Sequence, residues 1–526
     1  MVVLRRFFEH ASFMQQIKNI VVVGGGTAGW LTAGVIAAKH QGQRPYGFTV
    51  TLVESPNVPT IGVGEGTWPT LRTTLRRMGV SETEFFRQCD AAFKQGARFN
   101  RWTTGAVDDG YYHPLMLPQQ FGKVNLAPHW LAEDSSESFC DTVTPQGRLC
   151  DEGLAPKTIG TPEYEAVANY AYHLDAGKFS HFLQRHCCDT LGVRHVLADV
   201  TEVRLAENGD IQSLDTAQGE TISGDLFIDC TGFSALLIGK ALGVPFRSCS
   251  DILFCDTALA IQVPYAQPDD PVATHTISTA QSAGWIWDIG LPTRRGVGHV
   301  FSSSHISADA AEQELRAYLG PAGRDLPVRK ISIRSGHREQ FWVRNCVAVG
   351  LAAGFLEPLE ASAIVLIELS AKMIAEQMPP CREVMDVVAR RFNETTSYRW
   401  GRIIDFLKLH YSLTKRIDTE FWRDNLRAET IPDRLLGLME LWRHQSPWLH
   451  DEFDRAEEVF PSASYQYVLY GMGARTTVLP GTIEEDAELA RRARRENQLL
   501  TQRMTASLPA HRDLIERIVR HGLQPI

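Results

Sequence analysis

The chain has 526 residues, 44% of them hydrophobic and 22% charged, which is the balance of a globular protein. At roughly 150 residues per unit it makes three or four core-sized units that need no disulfide staples; disorder, collagen and coiled coil are excluded as descriptions of the whole. Its 53 Lys and Arg against 62 Asp and Glu leave a net charge of -9, which argues against nucleic acid as a partner, because phosphate affinity needs clustered basic charge.

In chain order, the first 13 residues lack an apolar h-region and read as a short extension, with Met14 as an alternative start. Residues 19–23 read as a short buried strand, followed at once by Gly24-Gly25-Gly26-Thr27-Ala28-Gly29. Residues 30–40 read as a helix, and residues 48–53 as a second strand ending at Glu54. Residues 105–162 carry Pro and Gly with weak periodicity and read as a loop-rich insertion. Residues 200–205 and 221–228 read as strands around the turn at Asn208-Gly209. Residues 253–263 and 299–303 read as further strands. After about residue 362 the pattern turns helical, with helices expected over 364–377, 382–413 (as one or two), 434–445 and 484–506. A boundary near Pro379-Pro380 gives two modules, 14–380 and 381–526.

No apolar run reaches the roughly 18–20 residues that span a bilayer; the best, 361–378, is interrupted by Glu368 and Lys372. The 10 cysteines form no CxxC pair and no zinc spacing. The expectation is a cytoplasmic protein with reduced thiols, no metal and no membrane association. The sequence leaves room for a homodimer.

Each glycine of Gly24-x-Gly26-x-x-Gly29 has a physical reason. The first permits a tight turn, the second lets backbone approach a pyrophosphate, and the third lets helix and strand pack closely. The helix start, with Thr27 and Ala28, offers free N–H groups to phosphate, and Glu54 can accept from a ribose hydroxyl. The alternative is a merely tight turn, but strand, glycines, helix, strand and acid follow in the right order. Two further strand–glycine elements, Leu226 to Cys230 before Thr231-Gly232 and Cys346 to Val349 before Gly350, favour FAD over NAD, since a long cofactor needs a fold that returns to it.

Trp285 and Trp287 stand at i and i+2, on one face of a strand. They read either as core packing or as the wall of a cavity. Lys94, taken alone, reads as a solvated helix residue. Glu360 precedes an apolar helix, where the dipole favours an acid, and the amides of Ser362 and Ala363 can cradle a halide.

Together these segments resemble the flavin-dependent tryptophan halogenases. The resemblance rests on GGGTAGW at Gly24, IGVGEGTWP at Ile61, AAFKQGARF at Ala91, LFIDCTGF at Leu226, the double tryptophan, and GFLEPLEASAI at Gly354. It implies an α/β fold: an FAD-binding Rossmann-like domain of the flavoprotein monooxygenase type with an added helical C-terminal module. It also implies that FADH2 from a separate flavin reductase, with O2 and chloride or bromide, yields hypohalous acid for an aromatic substrate. By resemblance, Lys94 handles the oxidant and Glu360 activates it or takes the arenium proton. Gly62, Glu65, Val200, Gly350 and Ile364 join the glycine turn at the flavin. Trp285 and Trp287 partition flavin from substrate.

The sequence departs from the family on the substrate side. His113-Pro114-Leu115 keeps the histidine of a His-x-Phe pair but loses the aromatic ring. Phe460-Pro461 stands in place of Phe-Trp, and no Tyr-Tyr pair precedes it. His113 and Phe460 remain as substrate residues. Losing those contacts predicts weak activity on free tryptophan and favours indole or a larger indole-bearing molecule, attacked at C3. Bromide, oxidised more easily, gives a reason for preference over chloride. The alternatives are a monooxygenase that hydroxylates an aromatic directly, a tryptophan or peptide halogenase, and a flavin-binding sensor without chemistry.

Overall fold

The run Ile-Val-Val-Val ends the strand Asn19–Val23, and all four side chains are buried. A strand covered on both faces has to be apolar throughout. In the computed structural model, which describes residues 16–40, 48–58, 64–133, 136–449, 458–478 and 480–526, this strand sits inside a six-stranded sheet. It runs parallel to Thr49–Glu54 and to Leu226–Asp229, with Val22 opposite both Leu52 and Ile228. Arg194–Leu197 closes one edge, and Cys346–Ala348 followed by the antiparallel Trp342–Val343 closes the other. The helix Thr27–His40 starts inside the glycine turn and packs against Ser362–Glu376.

A second sheet of seven strands carries the double tryptophan. Its strand Gly284–Gly290 is buried at every residue and pairs antiparallel with Thr276–Ala280 and Arg294–Phe301. Trp287 faces Gly298 across the ladder, and a Cβ at Gly298 would fall 2.1 Å from the Trp287 ring. That position has to be glycine for the ring to lie where it does. A small sheet of Gly64–Gly66, Ala171–Asp175 and Ala92–Lys94 packs against this strand, and Gly64 lies against Ile289.

The later part is helical: Ser362–Glu376, Arg382–Ser412, Asp433–Trp442, Ser462–Gly471, Pro480–Ser507 and His511–His521. One continuous apolar cluster contains Ile20, Trp285, Phe406 and Tyr465, so sheets and helices share a core. Among the described residues no helix is long and apolar enough to cross a membrane. All ten cysteines are unpaired, and only Cys188 is not buried.

Several expectations change. Residues 221–228 are not one strand: Thr221–Ser223 joins a small antiparallel sheet, and Leu226–Asp229 joins the parallel one. Gly224 lies against Val21 and Phe227 between them, where the chain changes sheet. The partner of Val200–Leu205 around Asn208-Gly209 is Ile211–Thr216, whose polar residues hide its period. The insertion at 105–162 holds the strand Gly110–Pro114 and the helices Leu126–Ala132, Phe139–Val143 and Gln146–Asp151. Such helices of five to seven residues are too short to show periodicity. Residues 382–412 form one unbroken helix. Lys94 lies in a strand and is 4% exposed, so the reading of a solvated helix residue is wrong. The 1–13 extension, Met14 and Gly62 lie outside the described residues.

One ion pair is wholly inside this core. Lys157 Nζ lies 3.1 Å from Glu82 Oε2, both side chains are fully buried, and Tyr170 and Tyr172 hydroxyls donate to Glu82 Oε1 at 2.6 Å. Glu82→Ala leaves the Lys157 charge without its partner. Removing one member of a buried pair typically costs about 3–5 kcal/mol. Urea unfolding should show a loss of that size, and a loss below about 1 kcal/mol, the scale of an exposed pair, contradicts it.

Candidate active site

The cofactor side is built by backbone. Gly24 has φ +118°, and a Cβ there would sit 2.2 Å from the Cys230 carbonyl oxygen. A Cβ at Gly29 would sit 1.8 Å from the Gly24 carbonyl oxygen, so the third glycine lets the helix close on the turn. A Cβ at Gly26 would meet nothing within 4 Å, because Gly26 borders a cavity of about 540 Å³. Gly24, Thr27, Ala28, Glu54, Glu65, Val200, Gly350, Ser362, Ala363 and Ile364 also line it. Gly29 does not line it and acts through packing. His195 Nε2 lies 2.9 Å from Glu54 Oε2 and orients that carboxylate. Burial, with Asp175 adding to it, pushes the Glu65 carboxyl up to about 7. Open space at the second glycine, amides at a helix start and an acid on the next strand fit a dinucleotide such as FAD.

Trp287 lines this cavity, and Trp285, 6.5 Å away between ring centroids, lies behind it. Lys94 and Glu360 do not line the cavity but adjoin two residues that do, Gly66 and Ala361, and the segment Gly66-Thr67-Trp68 ties them together. Lys94 Nζ donates to the Thr67 carbonyl at 3.3 Å, while Trp68 Nε1 donates to the Glu360 carbonyl at 2.8 Å. A Cβ at Gly66 would lie 3.2 Å from Lys94 Nζ and 3.3 Å from Ala361 Cβ. Glycine therefore keeps open the space between lysine and the start of the Ser362–Glu376 helix. Burial lowers Lys94 to about 8, with Glu360 resisting the shift.

Glu360 is a buried carboxylate with histidines on it. Its burial would raise it, but His113 and His410 overcome that and hold it well below the usual carboxylate range. His113 Nδ1 lies 3.0 and 3.1 Å from the two carboxylate oxygens, and its Nε2 lies 2.9 Å from Ser464 Oγ. His410 Nε2 lies 3.1 Å from Glu360 Oε1, short in distance but poorly aligned. Its Nδ1 lies 2.6 Å from Tyr111 Oη. Burial lowers His410 and pushes Tyr111 well up. Both histidines therefore turn one ring nitrogen toward Glu360 and the other toward a hydroxyl, His113 to Ser464 and His410 to Tyr111.

His113 thus spends both ring nitrogens inside the protein. Phe460 stacks on Phe406 at 3.8 Å and meets Trp68 at 4.8 Å. His410, Tyr111, Ser464 and Thr67 were not found from sequence. His410 lies in a helix whose pattern marks burial but not partners, and only the tertiary fold brings it to Glu360.

The chain matches the family model described as Tryptophan halogenase over residues 19–484. It is 33% identical to 7-chloro-L-tryptophan 6-halogenase KtzR of Kutzneria sp. (strain 744), over 95% of this chain and 99% of that protein. The crystal structure of a tryptophan halogenase from Shewanella frigidimarina NCIMB 400 superposes with a TM-score of 0.94 at 46% identity, covering 97% of this chain and 99% of that one. Xcc4156, a flavin-dependent halogenase from Xanthomonas campestris, superposes with a TM-score of 0.85 at 33% identity, covering 97% and 99%.

Gly29→Ala tests the cavity. The added methyl has to push the glycine turn away from the helix, and overpacking of this kind costs about 1–3 kcal/mol. FAD affinity, read by flavin fluorescence titration, should fall about tenfold or more while far-ultraviolet circular dichroism is retained. Unchanged affinity contradicts the placement of the cofactor.

Proposed function

The chain belongs to the flavin-dependent tryptophan halogenase family, and from that premise we propose that it halogenates an indole-type substrate without anchoring an amino-acid end. As a flavin-dependent halogenase it is an oxidoreductase that takes FADH2 from a separate flavin reductase and uses halide. Reduced flavin, when bound, would supply two electrons to O2 while halide supplies two more, so that one oxygen atom leaves as water and the other as hypohalous acid. The observation that carries the reading is the pairing of Lys94 and Glu360 through Thr67 and Trp68, beside Gly66 and Ala361, which line the dinucleotide cavity.

In this reading residues 14–380 hold cofactor and halide, and residues 381–526 cover the substrate. Ser362 and Ala363 offer their amides to halide at the helix start. Trp285 and Trp287 keep water and the aromatic substrate from the cofactor. The Lys94 ammonium donates a hydrogen bond to the oxidant and directs it to the ring. The Glu360 carboxylate stabilises the cationic ring and accepts its proton. His113 and His410 keep that carboxylate ionised and aimed.

The choice of substrate rests on what the other side lacks. His113 is occupied by Glu360 and Ser464, and Phe460 by Phe406 and Trp68. The Phe of His-x-Phe is Leu115, and the Trp of Phe-Trp is Pro461. Each lost contact is worth roughly 1 kcal/mol. Without a fixed side chain to direct it, the electrophile attacks C3, the most nucleophilic indole carbon, and bromide is favoured as the more easily oxidised halide.

The test is mass spectrometry of indole and of free tryptophan incubated with the enzyme, FAD, a flavin reductase and either halide. Halogenated indole is expected, with tryptophan turned over about tenfold more slowly or worse, since 1.4 kcal/mol is a factor of ten. Tryptophan as the better substrate, or an oxygenated indole formed without halide, overturns the reading. The pH profile follows from Lys94, which is an ammonium below about 8 and neutral above it. Halogenation at saturating FADH2 should therefore fall as pH rises through about 8. Lys94→Ala should abolish halogenation and keep FAD binding, and full activity in that variant contradicts the role given to Lys94.

A further inference from the structure

Three residues before Glu360, a second carboxylate is fully buried. Glu357 Oε2 accepts from Trp285 Nε1 at 2.8 Å and from the Tyr411 hydroxyl at 2.8 Å. Its environment is otherwise apolar enough that burial raises the carboxyl. The nearest positive charge is Lys408, one helical turn before Tyr411. Its ammonium is fully buried, donates to Asn425 Oδ1 at 2.7 Å and sits 4.8 Å from the centre of the Phe254 ring. Burial lowers it to about 7 against the pull of Glu357.

A buried acid of this kind is costly, and apolar side chains of the same volume often serve stability as well or better. What an apolar residue cannot do is fix the rotation of an indole ring through its N–H. Here one carboxyl oxygen accepts both the indole N–H and the phenol O–H. The two donors belong to the two structures that flank the chemistry. Trp285 stands two residues from Trp287, which lines the cofactor cavity, and its ring packs against Trp102. Tyr411 follows His410, whose Nε2 lies 3.1 Å from Glu360 Oε1. The turn from Glu357 to Glu360 is thus fastened twice to consecutive residues of the Arg382–Ser412 helix and once to the double-tryptophan strand.

We propose that Glu357 is a positioning residue for halogenation: by holding Trp285 and Tyr411 on one oxygen, it keeps the wall and Glu360 in one register, so that oxidant made on the cofactor side reaches Lys94 instead of escaping. Glu357 itself does not line the cofactor cavity and takes no part in the chemical step. The proposal rests on the halogenase reading above. Its signature is a loss of coupling, because a wall that turns by a fraction of its width still binds flavin but no longer delivers oxidant.

The experiment measures halogenated indole formed per FADH2 consumed, at saturating reductase and halide, with a 1,3-diketone as trap for free hypohalous acid. Trp285→Phe removes the N–H and keeps a ring; Glu357→Leu removes the acceptor; Glu357→Gln keeps a carbonyl that both donors can use. Product per FADH2 should fall about tenfold in Trp285→Phe and Glu357→Leu, since misplacement of about 1 Å can cost up to about 100-fold. Trapped hypohalous acid should rise, and FAD affinity should stay at the wild-type value. Glu357→Gln should couple like wild type, and the double variant Trp285→Phe/Glu357→Leu should be no worse than either single one, as for two ends of one bond. If Glu357→Leu fails to fold, Trp285→Phe decides alone. Wild-type coupling in Trp285→Phe, or loss of coupling in Glu357→Gln, overturns the proposal. Wild-type enzyme that consumes FADH2 and halogenates nothing is a different result, and it sinks the halogenase reading along with it.

Discussion

A carboxylate taken out of water costs several kcal/mol unless donors replace the water, and the centre of this protein is arranged around supplying donors to Glu360. They come from far apart in the chain. His113 arrives on the strand Gly110–Pro114, and His410 on the Arg382–Ser412 helix. Ser464 and Tyr111 fix the two imidazoles from behind. Trp68 holds the main chain of the same residue. Each donor requires its own element to be docked, so an ionised Glu360 is a statement about the whole tertiary structure. Lys94 is the counterpart. Among the described residues no carboxylate is hydrogen-bonded to it, and its ammonium is held by a main-chain carbonyl and lowered by burial. One group is driven toward its charged form and the other toward its neutral form, which is how neighbouring acid and base roles are separated in one site.

In the proposed reading, the double-tryptophan strand divides the cofactor from the chemistry. Two rings on one face of a strand stand side by side by geometry alone, but their placement needs room on the neighbouring strand. Gly298 gives Trp287 that room. Gly64 and Gly66 do the same for the segment that reaches from Ile289 to Lys94. Small residues in this region are spaces that the large ones need, and side chains added there would move the wall before they touched the cofactor.

Legibility in the sequence followed the range of the interactions. The strand–glycine–helix unit is local, and the structure builds it from Asn19–Val23, Thr27–His40 and Thr49–Glu54. The glycine turn is legible because its spacing is local, Gly29 closing on Gly24 five residues earlier, although Gly24 itself meets the distant Cys230. Four of the late helices follow the expected period, while Glu420–Asn425, Ser462–Gly471 and His511–His521 are additional; Ser462–Gly471 is buried on all sides and has no polar face to mark it. Lys94 was misread because three residues of strand carry no period and burial of a lysine leaves no trace in composition. His410 and Tyr411 were invisible for a different reason. Their partners, Glu360 and Glu357, lie about fifty residues earlier, and nothing in the helix pattern chooses which buried polar residue meets which acid. The segment EPLE was quoted for its second glutamate alone, and its first was left without a task.

The two ends of the site are also held by different kinds of contact, and this explains where the sequence keeps to its family and where it departs. The cofactor end is gripped by main-chain amides and by glycines whose missing Cβ atoms are the grip, so almost any change is a collision. The substrate end is lined by side chains, and there a change of residue alters fit without breaking the fold. At Leu115 and Pro461 the sequence gives up rings and polar anchors. At His113 and Phe460 it keeps the residue type and uses it inside the protein, one on Glu360 and one on Phe406. His113 and Phe460 thus contribute to holding Glu360 and its neighbours in place. In the halogenase reading proposed above, affinity for one particular substrate and rigidity around Glu360 draw on the same few side chains, and in this chain those side chains serve Glu360.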